Sequence, residues 1–325
     1  MSTRKEVADY AGVSVATVSN VVNDTKFVSD EVKKRVQDAI RELDYRPNLI
    51  ARGLATKETR HVAIMVDNLK NSYYTEMLEG AQAYASEYGY IVSIILNDFT
   101  DQEDTIGLAS RGLDGIIVTT VEAKKIQEKM NLKTCVTFSD LHVDVDYQRG
   151  INEAFNSLVR HGHTKIGFLS GLKLSEDHPR WDCFRKACQL YNLNINPDFI
   201  VDSNDRQTTD EAAGVEAIQR LLKRKDRPTA ILAVNDLMAI GAVRELNRNG
   251  YTVPKDISVI GCDNSQPSKY YTPSISTIDA QVFELGRSMM CNLIRTIKGE
   301  PIIQKEIPSK YIERESVTDN NSLNV

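Results

Sequence analysis

No run of 18 apolar residues occurs in the 325-residue chain, so no stretch has the length and apolarity of a membrane-spanning helix. The opening MSTRKEVAD lacks the apolar core of an export signal, and a cytoplasmic location is the expectation. Cysteine is scarce and odd in number. The five (Cys135, Cys183, Cys188, Cys262, Cys291) show no metal spacing and fit reduced thiols rather than a disulfide framework. The five histidines, at 61, 142, 161, 163 and 178, are equally unsuited to a metal centre. No G-x-S-x-G, G-x-G-x-x-G or phosphate-binding loop appears, which argues against a hydrolase or dehydrogenase. No enzyme activity, metal or cofactor is therefore expected. Aromatics make up only 7% of residues, with one tryptophan, and the net charge of −5 is not that of a uniformly basic nucleic-acid binder.

Against these absences stands one stretch, TRKEVADYAGVSVATVSNVVN at residues 3–23. Val7 and Ala8 mark the inner face of a first helix. Ala11-Gly12-Val13 makes a short turn, and Ser14 is a good N-cap for a second helix, on which Val18, Val21 and Val22 recur at helical spacing. The pattern fits a helix-turn-helix, whose second helix lies in a DNA major groove. Its outer face carries Val15, Ala16, Thr17, Ser19, Asn20 and Asn23, small or polar groups that can approach base edges and phosphates. A third helix is expected from Asp30 to Leu43, capped by Ser29 and stopped by Pro47. LIARGLATKET follows at 49–59.

VADYAGVSVATVSNVVN, the Val28-Ser29 start, ELDYRPN and ARGLA together resemble the DNA-binding head of the LacI/GalR family of bacterial transcription regulators, and the resemblance runs the length of the chain. It implies an all-α helix-turn-helix head at residues 1–47, a hinge helix and linker at 48–60, and an effector-binding and dimerisation body at 61–325. The body would be α/β, with two doubly wound parallel-sheet lobes like those of periplasmic binding proteins. The first lobe would take residues 61–160 and 280–299, the second 161–279 and 300–325. The DNA contacts implied are Thr3, Ser14, Val15, Ala16, Thr17, Ser19, Asn20, Asn23 and Ser29 in the head, with Asn48, Ala51, Arg52 and Leu54 in the hinge. Leu54 is the position that wedges into a central base step.

The charge distribution agrees with this division. Residues 1–60 hold 11 lysines and arginines against nine acids, whereas the remainder is acidic. Only the head need meet phosphate. From residue 61 on, short apolar runs such as HVAIMV, IVSIIL and AILAV alternate with helical patterns, as in parallel sheets covered on both faces. Ligands of such folds bind at the carboxyl ends of the strands. Those ends carry Tyr73, Tyr74, Asp146, Arg180, Trp181, Asn235 and Asp263, which suit a small polyhydroxylated or heterocyclic effector. Asp236 reads as a first-turn helix residue. By resemblance, Arg180, Asn235 and Asp263 fall where relatives hold the effector's polar edge, and Tyr73, Tyr74 and Asp146 fall on first-lobe contacts. The chain departs from the family at Thr209, where relatives often carry an aromatic.

The expected function is a repressor of a carbohydrate-utilisation operon. It would be a homodimer on a pseudo-palindromic operator, controlled by a sugar or sugar phosphate. The polar tail has no leucine heptad, so no tetramerising coiled coil is expected. ARGLA and the Val15-Ala16 pair also resemble catabolite control proteins, whose co-repressor is a phosphorylated carrier protein. That is the alternative.

Overall fold

Thr3 and Glu6 close the first turn of the chain reciprocally. The Thr3 hydroxyl accepts from the Glu6 N–H at 3.3 Å and the Glu6 carboxylate accepts from the Thr3 N–H at 2.7 Å, a capping box. Helix α1 (Arg4–Ala11) ends at Gly12, whose φ of +64° is a conformation costly for a residue with a β-carbon. Ser14 then accepts from the Thr17 N–H at 3.1 Å and starts α2 (Val15–Asn23). Helix α3 (Asp30–Glu42) follows. Ser29 holds its N-cap position, but the hydroxyl makes no capping bond, contrary to expectation. Val7, Val18, Val36 and Ala39 are fully buried where the three helices meet.

This computed structural model describes residues 2–23, 26–45, 58–66, 68–96, 112–118, 134–175, 178–203 and 208–320. Asn48, Ala51, Arg52 and Leu54 of the expected hinge lie outside the described residues, as do the helix expected over 101–111 and the side chain of Asn23. The chain divides into two units, Met1–Arg60 and His61–Val325.

In the second unit, β1 (His61–Val66), α4 (Ser72–Glu87), β2 (Ile91–Leu96), β3 (Gly115–Val118) and β4 (Cys135–Thr137) build a parallel sheet in the order β2-β1-β3-β4. Then come β5 (Val143–Asp146), α5 (Tyr147–Arg160), β6 (Ile166–Leu169), α6 (Pro179–Leu190), β7 (Ile200–Val201), α7 (Glu211–Leu222), β8 (Ala230–Ala233), α8 (Asp236–Arg248), β9 (Ser258–Cys262), α9 (Gln266–Tyr270), β10 (Ser276–Asp279), α10 (Val282–Ile297), β11 (Lys305–Pro308) and β12 (Lys310–Ile312). The second sheet runs β12-β10-β9-β8-β6-β7, antiparallel only where β12 pairs β10. Its central strands are buried along their whole length, which is why they read as unbroken apolar runs.

Among the described residues three passages of chain connect the lobes, and here the structure departs from the sequence reading. Helix α5 packs by Ile151, Ala154, Phe155 and Leu158 into the core of the second sheet, so residues 147–160 belong with the second lobe, not the first. The return after α10 is also more gradual than a switch at residue 300. β11 first pairs β5 in a separate two-stranded ribbon, and only β12 joins the second sheet. Ser309 pins this seam. It is fully buried, accepts from the Gly150 N–H at 3.0 Å and donates to the Asp146 carbonyl at 2.5 Å.

Candidate functional site

Arg180, the second residue of α6, is the centre of the site. One guanidinium nitrogen donates to Asp263 Oδ1 at 2.8 Å and to the Tyr147 hydroxyl at 2.9 Å. The same guanidinium lies over the Tyr147 ring, 4.6 Å from its centroid. Asp263 is brought up by the turn after β9, and Tyr147 is the first residue of α5. Tyr73, at the start of α4 in the first lobe, is near enough to feel this group. Burial pushes its phenol well up, and the neighbouring Tyr147 and Asp263 push the same way. Burial also raises Asp263 while Arg180 pulls it back. Burial opposes the Arg180 charge, but the Asp263 carboxylate 2.8 Å away favours it, and the guanidinium stays protonated. Arg180 Nε is buried without a hydrogen-bond partner among the described residues. Arg185 Nε and Arg227 Nε are in the same condition, so it is the coincidence of this donor with the Asp263 ion pair that makes Arg180 a candidate contact for a polar ligand.

Of the seven residues expected to hold an effector, Arg180 and Asp263 form this pair, and Tyr73 lies within reach of their charges. The other four have different occupations. Asn235 is 2% exposed, and its amide oxygen caps α8. It accepts from the Met238 N–H at 2.9 Å and donates to the Thr209 carbonyl at 2.9 Å. Trp181 turns into the second core, stacked on Phe184 at 5.5 Å. Tyr74 packs edge-on against Tyr73 at 5.6 Å and into the first core. Asp146 caps α5 through the Arg149 N–H at 3.2 Å. It also lines a groove of about 420 Å³ with Tyr147, Gln148, Asn152, Cys183 and Lys186. That groove includes neither Arg180 nor Asp263. The charge and the concavity are therefore neighbours rather than one place, and the ion pair with its unmet donor is the stronger pointer. Tyr147 was missed in the sequence, although an aromatic at a helix start is the feature that singled out Tyr73.

Asp236 lies beneath the pair, 1% exposed. Its carboxyl accepts from the Thr277 hydroxyl and from the Ser265 N–H, both at 2.6 Å. Burial nevertheless raises it to about 7, against the Thr277 donor and with the help of Asp263. Its ordinary value is 3.8, so between pH 4 and 7 the folded chain keeps a proton that the unfolded chain has released. The stability this proton supplies is full below about pH 4 and is lost as pH rises to 7, at up to ~1.4 kcal/mol per pH unit. Asp236→Asn should flatten that part of the profile. Between pH 4.5 and 7 the urea midpoint of the wild type should fall relative to that of Asp236→Asn, and from pH 7 to 8 the gap should level off. Parallel curves would refute the assignment.

In the head, α2 presents Val15, 45% exposed, and an exposed Ala16, with Thr17, Ser19 and Asn20 half-buried behind them. Thr3 and Ser14 both use their hydroxyls in caps. All five cysteines are free thiols, and no helix among the described residues is long and apolar enough to cross a membrane.

Known proteins match both units. A family model described as bacterial regulatory proteins, lacI family, covers residues 3–48, and one for a periplasmic binding protein-like domain covers residues 155–317. The chain is 30% identical to the HTH-type transcriptional repressor PurR of Aliivibrio salmonicida, over 98% of this chain and 99% of that one. It is 31% identical to the ribose operon repressor of Haemophilus influenzae, over 92% and 93%. Among solved structures, the lac repressor dimer bound to operator and the anti-inducer ONPF superposes with a TM-score of 0.78 at 25% identity, covering 98% of this chain and 99% of that one.

Proposed function

The chain belongs to the LacI family of bacterial regulatory proteins, and from that premise we propose that it represses a carbohydrate-utilisation operon and answers to a small sugar or sugar phosphate held at Arg180 and Asp263. It is a DNA-binding transcriptional repressor that acts as a dimer on operator DNA and responds to a small-molecule effector. The buried Arg180–Asp263 pair, with Arg180 Nε unmet, carries the assignment of the effector site. A hydroxylated ligand can supply an acceptor to that donor and a hydroxyl to the carboxylate. The ribose operon repressor among the relatives supports a sugar. Nothing in the relatives favours the phosphorylated carrier protein as co-repressor. Effector and operator must alter each other's affinity by one common factor, typically ~1–3 kcal/mol. The test is selection from random duplexes by the full chain, followed by titration with D-ribose and D-ribose 5-phosphate. A pseudo-palindromic site whose affinity responds to one of them is expected. Failure to select any site would overturn the reading.

Base reading can be tested separately. Val15 and Ala16 offer only methyl contact, as to thymine, and Asn20 suits adenine through a two-bond contact. Arginine at position 20 would suit guanine instead. Asn20→Arg is expected to move preference at one base pair of each half-site towards guanine by ~1–3 kcal/mol. Identical selected sites for the two proteins would remove Asn20 from the base-reading set.

A further inference from the structure

We propose that Asp236 is the positioning residue of the effector site: it anchors the turn Cys262-Asp263-Asn264-Ser265 from below, and so fixes the direction in which Asp263 reaches Arg180. The proposal rests on reading the Arg180–Asp263 pair as the effector's polar contact. Three observations carry it. First, the turn has an unusual backbone. Asp263 has φ +98° and Asn264 φ +54°, values that residues with side chains adopt only when the surroundings impose them. Second, Asp236 holds the two N–H groups that follow Asp263. Its Oδ2 accepts the Ser265 N–H directly. Its Oδ1 accepts the Thr277 hydroxyl, which in turn accepts the Asn264 N–H at 3.2 Å. Third, strand β9 is shaped to admit this carboxyl, because a β-carbon at Gly261 would sit 2.2 Å from Asp236 Oδ1.

Other groups hold the turn as well, and their geometry shows what is left for Asp236. The Asp263 N–H donates to the Ile278 carbonyl at 2.8 Å, which fixes the near end. Arg314 braces the Asn264 side chain and donates to Ser268 Oγ at 3.2 Å, which fixes the outer side. The Ser268 hydroxyl also donates to the Ser265 carbonyl at 2.7 Å, but none of these groups takes the N–H of Asn264 or Ser265. Among the described hydrogen bonds, those two N–H groups go to Asp236 and to its relay through Thr277. The turn could therefore swing about Asp263 if that support were lost. A shift of the Asp263 carboxylate would lengthen its 2.8 Å bond to Arg180 without disturbing the apolar core around it.

The experiment measures the coupling between Arg180 and Asp263 in the full chain, without any ligand. A double-mutant cycle of Arg180→Gln and Asp263→Asn is run on urea midpoints in four backgrounds: wild type, Asp236→Asn, Thr277→Val and Thr277→Ser. Clear non-additivity is expected in wild type and in Thr277→Ser, which keeps the hydroxyl. It should fall to less than half in Asp236→Asn and Thr277→Val. A merely structural loss would lower all midpoints and leave the coupling unchanged, and that result overturns the proposal. Absence of coupling in wild type overturns it too. If Asp236→Asn does not fold, the contrast between Thr277→Val and Thr277→Ser decides alone. Calorimetric titration of the wild type with D-ribose and D-ribose 5-phosphate reports on the effector reading independently, so the two can fail separately.

Discussion

Arg180→Ala is expected to lower the stability of the full chain by about 3–5 kcal/mol at pH 7.5, the cost of leaving a buried charge without its partner. The Asp263 side chain is only 7% exposed and that of Arg180 21%. Removing the cation strands a carboxylate in a site from which water is excluded. Removing the anion is less severe. In Asp263→Asn the guanidinium keeps the Tyr147 hydroxyl and ring and its greater exposure. The two single substitutions should therefore differ, Arg180→Ala being the worse. The Arg180→Ala defect should also shrink as pH falls. Burial already raises the Asp263 carboxyl, and without Arg180 it gains its proton more readily and escapes the penalty. Effector binding should be lost in both variants, while operator affinity at temperatures where they are folded stays within a few-fold of wild type. Urea unfolding at pH 5 and 7.5 checks the first claim. A loss below ~1 kcal/mol at pH 7.5, the scale of a surface ion pair, would show that water reaches the pair.

The architecture was legible because its carriers are local. Gly12, Ser14 and the spacing of Val7, Val18 and Val22 are enough for a helix-turn-helix. Buried runs such as HVAIMV and AILA mark parallel strands wherever they fall. What escaped were elements whose form depends on partners distant in sequence. β5 reads VDVD and β11 reads KEIP; neither is apolar enough to stand out, and each exists because the other pairs with it. The lobe boundary was misplaced for the same reason. Helix α5 follows the first sheet in the chain, but its apolar face fits the second.

The candidate site was legible in part. Strand ends point to Arg180 and Asp263, which the fold pairs, and to Tyr73, whose phenol feels their charges. Asn235 sits at a strand end as well, yet it caps a helix. No local pattern separates an amide that caps from one that binds. Asp236 shows the opposite case. Its position in the first turn of α8 was a sufficient explanation in sequence, and only the fold reveals that its carboxyl faces Thr277 and Ser265 from across the sheet.

Gly286→Ala should unfold the first lobe or cost it several kcal/mol, although it adds a single methyl group to a helix and alanine is the better helix former by ~1 kcal/mol. The reason lies in how α4 and α10 meet. A β-carbon at Gly286 would stand 1.9 Å from the Met77 carbonyl oxygen, and one at Gly80 would stand 1.9 Å from the Phe283 carbonyl oxygen. Each glycine thus lies against the backbone of the other helix. Backbone cannot rotate aside as a side chain can, so the two helices must separate. Val282, Leu285, Met289 and Leu293 of α10 would then lose their packing on Met77, Leu78 and Ala81 of α4. Overpacking of this sort typically costs ~1–3 kcal/mol even where side chains can shift, and here they are not the obstacle. The second lobe repeats the device: a β-carbon at Gly214 would stand 2.2 Å from the Met238 carbonyl oxygen, and one at Gly241 2.0 Å from that of Glu211. Gly299→Ala is the control. Its φ is +70°, but a β-carbon there meets nothing within 4 Å, so only the backbone penalty of ~1 kcal/mol applies. Urea unfolding of Gly286→Ala, Gly80→Ala and Gly299→Ala should rank the first two far below the third. Equal losses in all three would mean that α4 and α10 are not in backbone contact in solution.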